Sequence, residues 1–240
     1  MNILSIGNSF SLDAQRYVHQ IARADGVELD AINLYIGGCS LSTHFRNMLS
    51  GAREYGLQVN GHISGFKVSL QEGLLSRDWD VVTLQQASPN SFDYESYQPY
   101  LNELADYVRA CVPKAKIFMH QTWAYDKEST RFQNILLGET PDTMLAMIKE
   151  AYKKAAKEIG ADGIIPGGEV LMMLLQNGIE KVHRDNHHAS MGIGRYALGL
   201  TWYKVLTGNS VTENSFSDFD EPISAEEIAI AKKCVMECLG

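Results

Sequence analysis

Short apolar runs alternate with longer amphipathic stretches along the whole chain, and no other feature limits its possible folds as much. Ile3-Leu4-Ser5-Ile6 reads as a first strand closed by Gly7-Asn8, and Val27 to Ile36 as a second closed by Gly37-Gly38. Val81-Val82-Thr83-Leu84, Ile117-Phe118-Met119 and Ile164-Ile165 read as three more. Their near-continuous apolar character is that of parallel strands covered on both faces. Between them, Asp13 to Ala24 keeps Ala14, Tyr17, Val18, Ile21 and Ala22 on one helical face. Thr140-Pro141-Asp142 supplies a cap, a proline at the first helical position and a carboxylate at the positive helix end. Ser69 with Glu72, and Ser224 with Glu227, have the spacing of capping boxes.

This order predicts an α/β fold: a doubly wound, flavodoxin-like parallel sheet of five strands with helices on both faces, in three α/β/α layers. We read residues 1–240 as a single domain. Residues 51–68 carry Gly51, Gly56, Gly61 and Gly65 among polar residues. We read them as a loop or small hairpin inserted between strands two and three, placed to shape the rim of a pocket. In open sheets of this kind ligands sit at the carboxyl ends of the strands, so chemistry is expected just after Ile6, Ile36, Leu84, Met119 and Ile165.

Composition narrows the function classes. The chain has 21 basic and 29 acidic residues, a formal charge of −8, which argues against nucleic acid as a partner. The longest unbroken apolar run, Val170 to Leu175, is far short of a membrane span, so no membrane partner is expected. Cys39, Cys111, Cys234 and Cys238 fit a reduced compartment. The expected location is cytoplasmic, or periplasmic or secreted if a signal peptide has been removed. The oligomeric state is not legible.

Four segments at strand ends carry the chemistry. Gly7-Asn8-Ser9-Phe10-Ser11 follows strand one; its serines read either as helix caps or as an exposed nucleophile beside free backbone N–H groups. Gly37-Gly38-Cys39-Ser40 follows strand two and permits close backbone approach to a ligand, or simply a turn with positive φ. Gln85 and Gln86 follow strand three and read as amide donors or as loop braces. Near the C-terminus, His183-Arg184-Asp185-Asn186-His187-His188 places Asp185 three residues before His188. In a turn, that spacing brings the carboxylate to the imidazole and leaves the other ring nitrogen facing out, as a general base requires.

Together these segments resemble the SGNH (GDSL-type) hydrolase superfamily, in an uncharacterised bacterial branch, over nearly the whole chain. The resemblance implies a serine esterase acting on small-molecule esters, among them acyl groups on carbohydrates, with no cofactor and no metal. It implies Ser9 as nucleophile, His188 as general base and then acid, and Asp185 as the residue that orients His188. It implies an oxyanion hole of the Ser9 and Gly38 N–H groups with a third donor. The family's third donor is an Asn in a Gly-x-Asn-Asp segment that this chain lacks; Gln86, or Gln85, is the expected substitute. Asn8 stands where the family's first block has Asp.

His44 and Trp123 are candidates for the substrate pocket. Asp13 is expected in the first turn of helix one, where a carboxylate is stabilising. Two alternatives remain at this level: a ligand-binding module with a degraded SGNH site, and a metal-dependent hydrolase using His183, Asp185 and His187.

Overall fold

A computed structural model describes residues 1–240. Seven strands form one sheet, in the order β4-β3-β2-β1-β5-β6-β7. Five are the parallel strands expected: β1 (Asn2–Gly7), β2 (Asp30–Tyr35), β5 (Val81–Leu84), β6 (Lys116–His120) and β7 (Gly163–Ile165). The count of five is corrected to seven by the inserted segment. It is an antiparallel hairpin, β3 (Tyr55–Val59) and β4 (His62–Val68), that pairs with β2 and extends the sheet. Its two-residue turn is Asn60-Gly61, both at positive φ, the pairing that the twist of a tight hairpin favours.

Ten α-helices complete the chain. On one face of the sheet lie α1 (Ser9–Ala14), α2 (Val18–Ala24), α8 (Gly167–Gln176), α9 (Ile193–Thr207) and α10 (Ala225–Leu239). On the other lie α3 (Leu41–Ser50), α4 (Leu70–Leu75), α5 (Tyr100–Cys111), α6 (Arg131–Asn134) and α7 (Pro141–Glu158). Adjacent strand residues divide between the faces: Ile3 packs with the first group and Leu4 with the second. The capping boxes form at Ser69 with Glu72 and at Ser224 with Glu227, and Thr140 caps α7 with Thr143 as its partner. No helix is long and apolar enough to cross a membrane.

The single helix expected over Asp13–Ala24 is two helices. The Asn8 side chain accepts from Phe10 N–H, so α1 starts directly after β1, and the chain turns at Gln15 before α2 begins. Among the parallel strands the order is β2-β1-β5-β6-β7, so the direction of winding reverses between β1 and β5. Ligands are bound at such a reversal, outside the carboxyl ends of the strands. Ser9 follows one of these two ends and Gln85 to Ser88 follow the other.

Candidate active site

The β1–α1 turn requires close packing. A Cβ on Gly7 would collide with the Ser11 hydroxyl, so glycine lets α1 fold back tightly on its strand. Asn8 then fastens three strand ends together. Its Oδ1 accepts from Phe10 N–H at 3.0 Å and from Gln85 Nε2 at 2.7 Å, while its Nδ2 donates to the Cys39 carbonyl at 3.0 Å. A carboxylate could not make the last bond, which accounts physically for Asn at this position.

Ser9 is the first residue of α1, where an N–H has no acceptor within the helix. Its Oγ lies 2.8 Å from His188 Nε2. His188 Nδ1 lies 2.7 Å from Asp185 Oδ2, and Asp185 Oδ1 accepts from His188 N–H at 2.8 Å. Partial burial acts to raise the Asp185 pKa, but the hydrogen bonds from the His188 ring and backbone prevail and hold it well below the usual carboxylate range. An ionised carboxylate only accepts, so the ring proton sits on Nδ1 and Nε2 is the acceptor for the Ser9 hydroxyl.

The loop bearing Asp185 and His188 is tied down on three sides. His183 and Ala189 form an antiparallel bridge, and Asn186 sits at φ 67° with its carbonyl accepting from Asp126 N–H at 2.9 Å. Trp123 Nε1 donates to the His187 carbonyl at 2.8 Å, and its ring stacks on Phe10 at 4.1 Å. Arg184 reaches Asp13 on α1.

Ser9 and His188 open onto a cleft of about 300 Å³, bordered also by Gly38, Ser88, Arg131 and His187. Gly38 adopts φ 63°, and its N–H has no backbone acceptor. No residue of 51–68 borders this cleft, so the hairpin lies away from the rim it was expected to shape. Larger surface grooves occur elsewhere, but none contains Ser9 or His188.

Several expected site residues belong to the framework instead. Gln86 is 1% exposed. Its Oε1 accepts from Leu41 N–H and Ala87 N–H, and its Nε2 donates to the Ser96 carbonyl and hydroxyl, so it has no hydrogen left for a substrate. Gln85 is 1% exposed and does not border the cleft; its Nε2 donates to Asn8 Oδ1 and its Oε1 faces His120 Nδ1. His44 is fully buried against Tyr55 and Cys39, and burial pulls its pKa down to about 3. Trp123, 1% exposed, braces the histidine loop from behind rather than walling the cleft. Asp13 is at the end of α1, not in a first turn, and is fully buried between Arg184 and Arg195.

The proposed metal set also differs. His183 Nε2 bonds to the Ala124 carbonyl, so the three groups near enough to share an ion are Asp185, His187 and His188. An ion there would compete for the His188 nitrogens that contact Ser9 and Asp185. Burial, then the neighbouring His188, lowers the pKa of His187. Arg131 and Ser88 border the cleft without having been singled out in the sequence. Arg131 opens the short helix α6, and no spacing signal marks it in the sequence.

Residues 2–238 match the model of a family described as "Domain of unknown function (DUF4886)". No curated protein matches the chain. A DUF4886 family protein from Bacteroides uniformis, solved as a crystal structure, is 34% identical. It superposes with a TM-score of 0.91 over 99% of this chain and 94% of its own. A candidate SGNH hydrolase from Slackia heliotrinireducens is 22% identical, with a TM-score of 0.60 over 85% of this chain and 97% of its own. A lipase/acylhydrolase from Enterococcus faecalis is 12% identical, with a TM-score of 0.56 over 86% and 95%. At these last two identities the likeness is one of fold, and the fold is that of the SGNH/GDSL-like hydrolases.

Proposed function

The chain belongs to the DUF4886 family, and we propose that it is a serine hydrolase that cleaves esters through an acyl-enzyme intermediate. The observation that carries this reading is the unbroken hydrogen-bonded chain from Ser9 Oγ to His188 to Asp185, at 2.8 and 2.7 Å, opening onto a cleft. A degraded site would have no reason to keep a serine, an oriented imidazole and an ionised carboxylate in that order.

His188 Nε2 takes the Ser9 proton as Ser9 Oγ attacks the ester carbonyl. Asp185 stabilises the imidazolium that forms. The carbonyl oxygen, now negative, is received by the N–H groups of Ser9 and Gly38. His188 then returns the proton to the departing alcohol and leaves an acyl group on Ser9. Water enters, gives a proton to Nε2 and attacks the acyl carbon; as the Ser9 Oγ–acyl bond breaks, His188 returns that proton to Ser9 Oγ and the carboxylic acid leaves. None of these steps draws on a cofactor. The cleft suits small esters, acylated carbohydrates among them.

The test is hydrolysis of acetyl esters by wild type and Ser9→Ala, each with and without EDTA. Turnover by wild type that is abolished in Ser9→Ala and indifferent to EDTA supports the serine reading. Activity that survives Ser9→Ala but is lost to EDTA moves the chemistry to an ion at Asp185, His187 and His188.

A further inference from the structure

With Gln85 and Gln86 both held in the framework, two hydroxyls at the cleft keep a proton for a ligand, those of Ser88 and Tyr35, and of the two only Ser88 accepts a hydrogen bond from a donor behind it. We infer that Ser88 Oγ–H is the third oxyanion donor, its proton directed into the cleft by a relay that runs from Arg131 through Tyr125. The inference rests on the reading of Ser9 as nucleophile and adds a catalytic residue to it.

The direction of the relay follows from proton counting. Arg131 Nη1 lies 3.1 Å from the Tyr125 hydroxyl, and a guanidinium can only donate. The Tyr125 oxygen is therefore an acceptor there. Tyr125 is fully buried, and its own proton has one acceptor in reach, Ser88 Oγ at 3.1 Å. That leaves Ser88 Oγ as an acceptor from Tyr125, with a proton that no other protein group takes up. Ser88 borders the same cleft as Ser9 and Gly38, at the end of the strand adjacent to β1.

The source of the relay is held in place and faces no carboxylate. The Arg131 guanidinium lies 4.9 Å from the centre of the Tyr125 ring. Six other arginines, Arg16, Arg53, Arg77, Arg109, Arg184 and Arg195, pair with carboxylates, but Arg131 does not. Its positive end therefore polarises a chain of hydroxyls rather than neutralising an acid, and successive hydrogen bonds of one polarity strengthen each other. Ser88 itself is fixed by a bond from Ser91 Oγ to its carbonyl at 2.9 Å. In the reaction no proton leaves Ser88: its O–H bond shortens its contact to the carbonyl oxygen as that oxygen takes up the electron pair displaced by Ser9.

The experiment measures kcat, KM and the rate at which a fluorophosphonate probe labels Ser9, in wild type, Ser88→Ala, Ser88→Thr and Tyr125→Phe. Ser88→Ala is expected to lower kcat roughly 10²–10³-fold with KM unchanged, because the bond is made only to the developing charge. Ser88→Thr, which keeps a hydroxyl, should stay within about tenfold of wild type, and Tyr125→Phe should fall between the two. Labelling should slow in the same order. A folded Ser88→Ala with wild-type kcat and labelling rate overturns this inference alone, and so does a loss confined to KM. Should Ser88→Ala not fold, wild-type kcat in Tyr125→Phe overturns it. Wild type that takes no label at Ser9 overturns the serine reading and this inference together.

Discussion

Arg184 places one guanidinium nitrogen 2.9 Å from both carboxylate oxygens of Asp13, across 171 residues of sequence. Asp13 is on the same short helix as Ser9, and Arg184 directly precedes Asp185. The pair thus links the helix of the nucleophile to the loop of the base. Asp13 also accepts from Arg195 Nε at 2.9 Å, and Arg195 continues to Asp220, which Arg16 grips with two nitrogens. The distance from Ser9 to His188 is consequently set behind the cleft rather than within it.

Replacing Asp13 by Asn keeps the shape and removes the charge. It strands Arg184, about a quarter exposed, and leaves the nearly buried Arg195 with Asp220 as its one carboxylate. Leaving Arg184 unpaired and Arg195 half-paired costs about 3 kcal/mol, less than for a fully buried pair because water still reaches Arg184. Denaturant unfolding should show that loss, and kcat should fall with it as the loop loosens. Unfolding of Asp13→Asn at the wild-type midpoint would sink the account.

The strands and the strand ends were legible because an apolar run between glycines has few other ways to fold. The Asp185-x-x-His188 pairing was legible because three residues of turn suffice to join the two. The framework roles were hidden for a common reason. Whether Gln86 faces a ligand or Leu41 N–H depends on a neighbour 45 residues away, and no local spacing records it. Asp13 reads as a helix-start carboxylate only when α1 is begun four residues late, since the helix starts at Ser9. The small hairpin offered for residues 51–68 is present, with Asn60-Gly61 at its turn, but its pairing with β2 depends on a segment some 25 residues away that no local spacing records. Arg131 and Tyr125 acquire meaning only once Ser88 lies beside them.

Asn8→Asp restores the residue that the superfamily's first block usually carries, and should be harmful here. Asn8 is 1% exposed, and its Nδ2 donates to the Cys39 carbonyl. A carboxylate would set an acceptor against an acceptor and bury a charge with no cation beside it, a loss of about 2–4 kcal/mol. We expect a thermal midpoint lowered by several degrees at neutral pH. The β1 and β2 ends should also part enough to displace Gly38, so that kcat falls more than KM rises. Wild-type stability and kcat in Asn8→Asp would show that the three-way tie is dispensable.

Acid should destabilise the protein well above the range in which carboxylates titrate. His44 is enclosed by Tyr55 and Cys39, and His120 by Gln85, Trp123 and Trp202. Each has a ring Nε2 with no partner, and burial pulls each pKa down to about 3, from 6.5 in the unfolded chain. Between those values the unfolded state binds the extra protons, so stability falls as pH falls. Each histidine contributes a slope approaching 1.4 kcal/mol per pH unit, and the two together should remove about 2 kcal/mol between pH 6 and pH 5. His183, lowered chiefly by burial, adds in the same direction. Urea midpoints at pH 7, 6 and 5 measure the effect. His44→Gln, which can still bond Tyr55 but cannot titrate, should remove close to half of the slope. Equal midpoints at pH 7 and pH 5 would mean that water or a shifted side chain reaches these rings, and the packing around both would have to be redrawn.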